Sequence, residues 1–240
     1  MNPKMRFASA LALALLLCGQ IGAQAGSGNQ LIEEADALFN REGPSMAAVD
    51  AYRAVCQDDN NSPHAARSRY MAAECLFRLN DLKAAYLEFD LVRRSKGGSE
   101  SLHAAAELRR GQCCFAQGEF EQAAKHFSRI ADRDGESYLA RDGAFALAQT
   151  QVALGEWEEF KEIADRLVAD HAAYGRRPEF LFAYGVYHYQ RGETGPAREY
   201  FHQVESERAR SYLVLTLSDE QQYLKAIQQY RQLLVRYPAT

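Results

Sequence analysis

The residues able to do chemistry are few and dispersed. Beyond Cys18, four cysteines lie at positions 56, 75, 113 and 114. In an oxidising compartment those four permit disulfides in three connectivities. Cys113 and Cys114 are adjacent and point to different faces of one helix, and use of the cysteines as small buried hydrophobes is the favoured reading. Cys56 with Cys75 is the bridge to test first, because a helix and its successor in the next unit could bring them together. No CxxC or Cys/His spacing suggests zinc, and His188 and His202 are not four residues apart and have no third ligand in view, so neither a metal nor another cofactor is expected. No GxSxG, HExxH or phosphate-cradling glycine loop occurs. Glu158 and Glu159 read as solvated surface. Cleavage of a glycan would need two opposed carboxylates about 5–9.5 Å apart, and no pair is singled out. The chain is therefore expected not to be an enzyme, the alternative being a cell-wall glycan-acting enzyme on a helical solenoid.

The elements that hold these residues announce themselves by a repeat. A small alanine is followed four residues later by a ring at Ala48/Tyr52, Ala85/Phe89, Ala123/Phe127, Ala197/Phe201 and Ala226/Tyr230, and the order is swapped at Phe160/Ala164. First members are spaced by 37, 38, 37, 37 and 29 residues, a period that means stacked units. Within the clearest unit, apolar positions recur at helical spacing on both sides of Gly118, predicting two amphipathic helices joined by a tight turn. Gly118 supplies the left-handed conformation that ends the first helix. Gly111 and Ala123 let the two helices approach closely, while Phe120 and Phe127 fill the surrounding space. Equivalent turns fall at Gly43, Asn80, Gly155 and Gly192, and equivalent small residues at Ala73, Ala148 and Gly185. Ser62-Pro63, Arg177-Pro178 and Pro196 mark helix starts. Loops are expected over 57–62, 95–101 and 170–177, and Tyr212 to Leu217 belong to the first helix of a final, shortened pair. No strand pattern is present. The expected class is all-α, with about six helix-turn-helix repeats.

Gly111, Gly118, Phe120, Ala123 and Phe127 together resemble a tetratricopeptide repeat, and Tyr237-Pro238 resembles that family's closing proline. The resemblance covers about residues 29–240 and is most specific in the third and fifth units. It implies a right-handed α-solenoid whose first helices line a concave groove. Carried over position by position, it makes Tyr70, Glu74, Phe77, Leu108, Gln112 and Phe115 groove residues, followed by Phe145, Gln149, Val152, Phe182, Val186 and Tyr189. Such a lining suits an apolar helix or an extended segment with spaced hydrophobic anchors, and a groove without a run of lysines does not suit a charged chain terminus. Core packing is the alternative for each ring, with Phe115 and Phe182 then wholly buried. The aromatic tract from Phe180 to Tyr189, beside Tyr200 and His202, carries the same two readings. Three departures stand out: a period above the family's usual 34 or so, Glu107 and Arg110 at places usually apolar, and Phe160 in place of a small alanine, which predicts an altered packing angle in the fourth unit.

Lys4 and Arg6, the apolar run from Phe7 to Leu17 and Ala23-Gln24-Ala25 read as an export signal over residues 1–25, leaving 26–240 as the repeat domain. The expected location is periplasmic or secreted. Leu15-Leu16-Leu17-Cys18 resembles a bacterial lipoprotein signal, which makes a membrane-anchored lipoprotein through Cys18 the alternative. No stretch is apolar enough over about 20 residues to cross a bilayer. Without Lys4 and Arg6 the chain carries 26 basic against 32 acidic residues, and this acidity argues against nucleic acid as a partner. Arg93-Arg94, Arg109-Arg110 and Arg176-Arg177 are expected on solvated faces. Leu224, Ile227, Tyr230, Leu233, Leu234 and Tyr237 crowd the last helix on more than one face, predicting self-association through it or continuation into a longer array. The expected function is a non-catalytic exported scaffold for protein–protein interaction, in bacterial cell-envelope assembly or maintenance.

Overall fold

The computed structural model describes residues 28–58, 62–132 and 137–238. The expected signal segment at 1–25, with Cys18, lies outside the described residues. The chain divides into two units, one ending at Ser99 and the other starting at Glu100. The first holds α1 (Gly28–Glu42), α2 (Met46–Asp58), α3 (Pro63–Arg78) and α4 (Leu82–Arg94). The second holds α5 (Glu100–Ala116), α6 (Phe120–Ala131), α7 (Tyr138–Leu154) and α8 (Trp157–Asp170), then a 3-10 turn at Tyr174–Arg176. It continues with α9 (Pro178–Gln190), α10 (Thr194–His202), α11 (Glu207–Asp219) and α12 (Tyr223–Arg236). These are six helix pairs, all-α among the described residues, in the repeat-solenoid architecture the period predicts. Helices α2 and α5 run into the segments expected as loops at 57–62 and 95–101, and Tyr212 to Leu217 fall within α11 as expected.

Each pair turns on one left-handed residue. Gly43, Asn80, Gly118, Gly155 and Gly192 have φ between 63° and 80°, and Gln221 has φ 60° at the sixth turn. Gln221 escapes sequence reading because an L side chain there carries steric cost. Helix starts are fixed by side chains: the Ser62 hydroxyl accepts from Ala65 N ahead of Pro63, and Ser137 and Ser206 cap α7 and α11 in the same manner.

The recurring small residues and rings are helix crossings. Both members of the first five pairs are sealed, and in the sixth Ala226 is buried while Tyr230 stays 49% exposed. A Cβ added at Gly111 would lie 2.5 Å from Phe127 Cε1, and one at Gly185 2.5 Å from Phe201 Cε1. The ring can fill the crossing only where the facing residue has no side chain. The swapped fourth pair places Phe160 against Phe180 and Tyr184, at 6.0 and 5.2 Å between ring centroids.

No disulfide joins Cys56 to Cys75, or any other pair among the described cysteines; Cys56 Sγ donates to the Ala65 carbonyl at 3.4 Å, and Cys75, Cys113 and Cys114 are buried, in line with their favoured reading as small hydrophobes. One expectation is corrected. Arg110 is not on a solvated face but 7% exposed, because a buried acid is there to meet it. Glu107 accepts from Arg110 Nη1 at 2.7 Å, from Arg129 Nη1 at 3.0 Å and from His126 Nδ1 at 2.9 Å. Burial alone would raise the Glu107 pKa, but hydrogen bonds from His126, Arg129 and Arg110 outweigh it and hold the carboxyl at about 2.

Candidate functional site

In the second unit the first helices of successive pairs touch in series, α5 against α7, α7 against α9 and α9 against α11. Residues three or four apart on such helices share a face, so one exposed stripe per helix can build a continuous lining. It does: a groove of about 460 Å3 is lined by Phe115 from α5, Gln149 and Val152 from α7, Phe182 from α9 and Arg208 from α11. Buried Phe160, Phe180 and Ala183 and exposed Ala153 and Glu179 complete the lining.

Four of the expected groove residues therefore meet in one cavity. Phe115, Gln149, Val152 and Phe182 are each half-buried, so neither ring is wholly consumed by the core. Phe115 is braced edge-on by Phe120 at 5.2 Å, and Phe182 by Tyr212 at 5.6 Å and Phe201 at 5.9 Å. The Arg208 guanidinium lies 5.0 Å above the Phe182 ring, a cation–π contact that fixes its position. The chemistry offered is an apolar seat with one amide, one cation and one anion around it.

Other expected residues have different surroundings. Leu108 and Val186 are 8% and 4% exposed and pack in the interior, Val186 in a cluster with Phe201 and Leu213. Gln112 accepts from Arg109 Nη1 at 2.7 Å. Phe145 stacks near Phe180 and Tyr174 at 5.0 and 5.6 Å, with Arg177 Cζ 4.6 Å from its centroid. Tyr189 meets Tyr212 at 5.4 Å, and burial, then its hydrogen bond to Asp219, raises its phenol pKa. In the first unit Tyr70 packs edge-on against Phe89 at 5.3 Å and Phe77 is half-buried. Glu74 is 6% exposed and pairs with Arg78 at 3.2 Å, so burial assigns it to packing rather than to a lining.

Sequence reasoning missed Glu179 and Arg208, and held Phe180 between groove and core. Glu179 was legible, standing three residues before Phe182 and so on the same helical face. Arg208 had no signal beyond its place in the first turn of α11.

The side chains weighed for metal binding or catalysis have partners of their own. His188 Nδ1 lies 2.6 Å from Glu193 and the ring stacks on Tyr200 at 5.4 Å, while Glu158 accepts from Arg191 Nη1 at 2.6 Å. Among the described residues no group of three His, Cys, Asp or Glu is placed to hold a metal ion, and no helix is long and apolar enough to cross a membrane.

Residues 32–100 and 90–138 match the tetratricopeptide repeat family. None of the curated proteins matches the chain in sequence. Among solved structures, PilF of Pseudomonas aeruginosa superposes with a TM-score of 0.66 at 16% identity, over 89% of this chain and 93% of that one. PilW, a widely conserved type IV pilus biogenesis factor, gives 0.64 at 15% identity over 90% and 96%. YrrB, a tetratricopeptide protein with an unusual peptide-binding site, gives 0.58 at 17% identity over 79% and 94%. At such identities the likeness is one of fold.

Proposed function

Because this chain belongs to the tetratricopeptide repeat family, whose repeats are scaffolds for protein and peptide partners, we propose that it is a non-catalytic, exported scaffold of the bacterial cell envelope. Its second unit holds a peptide segment of a partner protein in the groove of Phe115, Gln149, Val152 and Phe182. The convergence of these four half-buried side chains from three helices in one cavity carries the reading. Phe115, Val152 and Phe182 seat an apolar anchor of the segment, and the Gln149 amide can donate to and accept from its backbone. Arg208 and Glu179 select for charges flanking that anchor. The export-type amino terminus and the pilus biogenesis role in the name of PilW support the envelope setting.

The test is retention of envelope proteins on the immobilised chain, followed by a peptide array of whatever is retained. A partner held by the parent and lost by Phe182→Ala and Val152→Ala supports the groove; equal retention overturns it. Fractionation of cells producing the full chain should find it outside the cytoplasm, either free or membrane-bound through Cys18. Release of soluble fragments from purified wall polymer would instead favour the glycan-acting alternative.

A further inference from the structure

The shortened last step of the repeat puts opposite charges at one place on neighbouring helices. Arg208 stands 29 residues after Glu179, the same step that separates Ala197 from Ala226. Glu179 lies in the first turn of α9 and Arg208 in the first turn of α11, and these two helices touch. The axes of packed helices lie about 8–10 Å apart, a span that about three residues of extended chain cover.

Both side chains line the groove of about 460 Å3, and both are exposed. They do not pair: among the described residues neither makes an ion pair or a side-chain hydrogen bond. One helix earlier, 37 residues before Glu179, the same place is Asp142, and there the chain supplies its own partner, the Tyr174 hydroxyl donating to the carboxylate at 3.4 Å. Opposite charges that share a cavity without meeting are each open to a partner that enters it. Arg208 is also held in position, its Cζ 5.0 Å from the centroid of Phe182, a contact that leaves the guanidinium N–H groups without an acceptor. That fork suits a carboxylate in two parallel bonds, whereas a carboxylate placed at Glu179 meets like charge.

We propose that the groove selects a bipolar segment of its partner, an extended stretch carrying an apolar anchor, a basic residue toward Glu179 and an acidic residue toward Arg208, the two charges about three residues apart. Resting on the peptide-groove reading, this selectivity adds the sign and the order of the charges. A segment acidic on both sides of the anchor, basic on both sides or uncharged forgoes one pair or both.

The probes are fluorescein-labelled peptides of about ten residues with a central Phe-Leu anchor. They bear Lys on one side and Asp on the other, in both orders because an extended segment can run either way, or Asp, Lys or Gln on both sides. Fluorescence anisotropy against the full chain should show one bipolar peptide binding about 3–10-fold more tightly than each of the last three. Arg208→Glu should move the preference to the doubly basic peptide, and Glu179→Lys to the doubly acidic one. Loss of packing would instead weaken every peptide alike, as Phe182→Ala should. A ranking that Arg208→Glu leaves unchanged, or binding of no peptide, overturns the inference. Equal binding of all the peptides that Phe182→Ala abolishes overturns it and leaves the groove reading standing, whereas binding that Phe182→Ala leaves intact overturns both. Self-association of the chain that Arg208→Glu dissolves overturns it in favour of a second copy in the groove.

Discussion

Gly111 and Phe127 make a close helix crossing: the ring fills the space where a Cβ would stand 2.5 Å from Cε1. The same relationship recurs between Gly185 and Phe201, so one crossing is built twice in the second unit.

The first prediction follows from that contact. Gly111→Ala should destabilise the chain by about 1–3 kcal/mol through overpacking, read as a lower urea midpoint. Phe127→Leu in the same chain should recover part of the loss, because the smaller side chain makes room for the methyl group. Additive losses in the double variant would refute the crossing as the cause.

Glu107 gives stability a pH dependence of known sign. Its folded pKa of about 2 lies below the ordinary 4.5, so the contribution is fully present above 4.5 and is lost as the pH falls from there toward 2. Glu107→Gln should cost about 3 kcal/mol near neutrality, since it leaves Arg110 buried beside a neutral group. The gap in urea midpoint between parent and variant should narrow from pH 6 to pH 2.5; a gap that widens on acidification contradicts the assignment.

At the sixth turn Gln221 holds φ 60° without being glycine. Gln221→Gly should raise stability by about 0.5–1 kcal/mol, the relief of left-handed strain exceeding the extra chain entropy of glycine. Gly118→Ala, at φ 78°, should lower it by a similar amount. Thermal melts of both variants check the pair of signs.

The four described thiols are free, and burial, followed by the nearby Glu119, pushes the Cys114 thiol to about 11. In a chain carrying Cys18→Ser, a thiol reagent at pH 8 should modify half-buried Cys56 first and reach the other three only on unfolding. Reductant should leave the melting temperature unchanged. A drop on reduction would reveal a disulfide.

The alanine–ring pairs, five of the six turns and the proline-marked helix starts were legible in the sequence because each is a local steric matter with a fixed spacing. Gly118 must end a helix wherever it sits, and Gly111 faces whatever ring the repeat provides. The site was legible only by half. Phe115, Gln149, Val152 and Phe182 were found by their place in the repeat, yet the same rule also selected Leu108 and Val186, which are buried. A heptad-like position fixes the side of a helix but not how deeply its neighbours cover it.

Sequence alone therefore determined the all-α class, six helix pairs and the identity of the crossings, since these depend on residue size and period within some 40 positions. Tertiary structure decided the rest. It showed that buried Glu107, Arg110 and His126 form one cluster joined by Arg129 from the surface, and that Arg208 reaches Phe182. Those outcomes depend on distances between helices far apart in the chain, where a charge finds or lacks a partner only after packing has placed both.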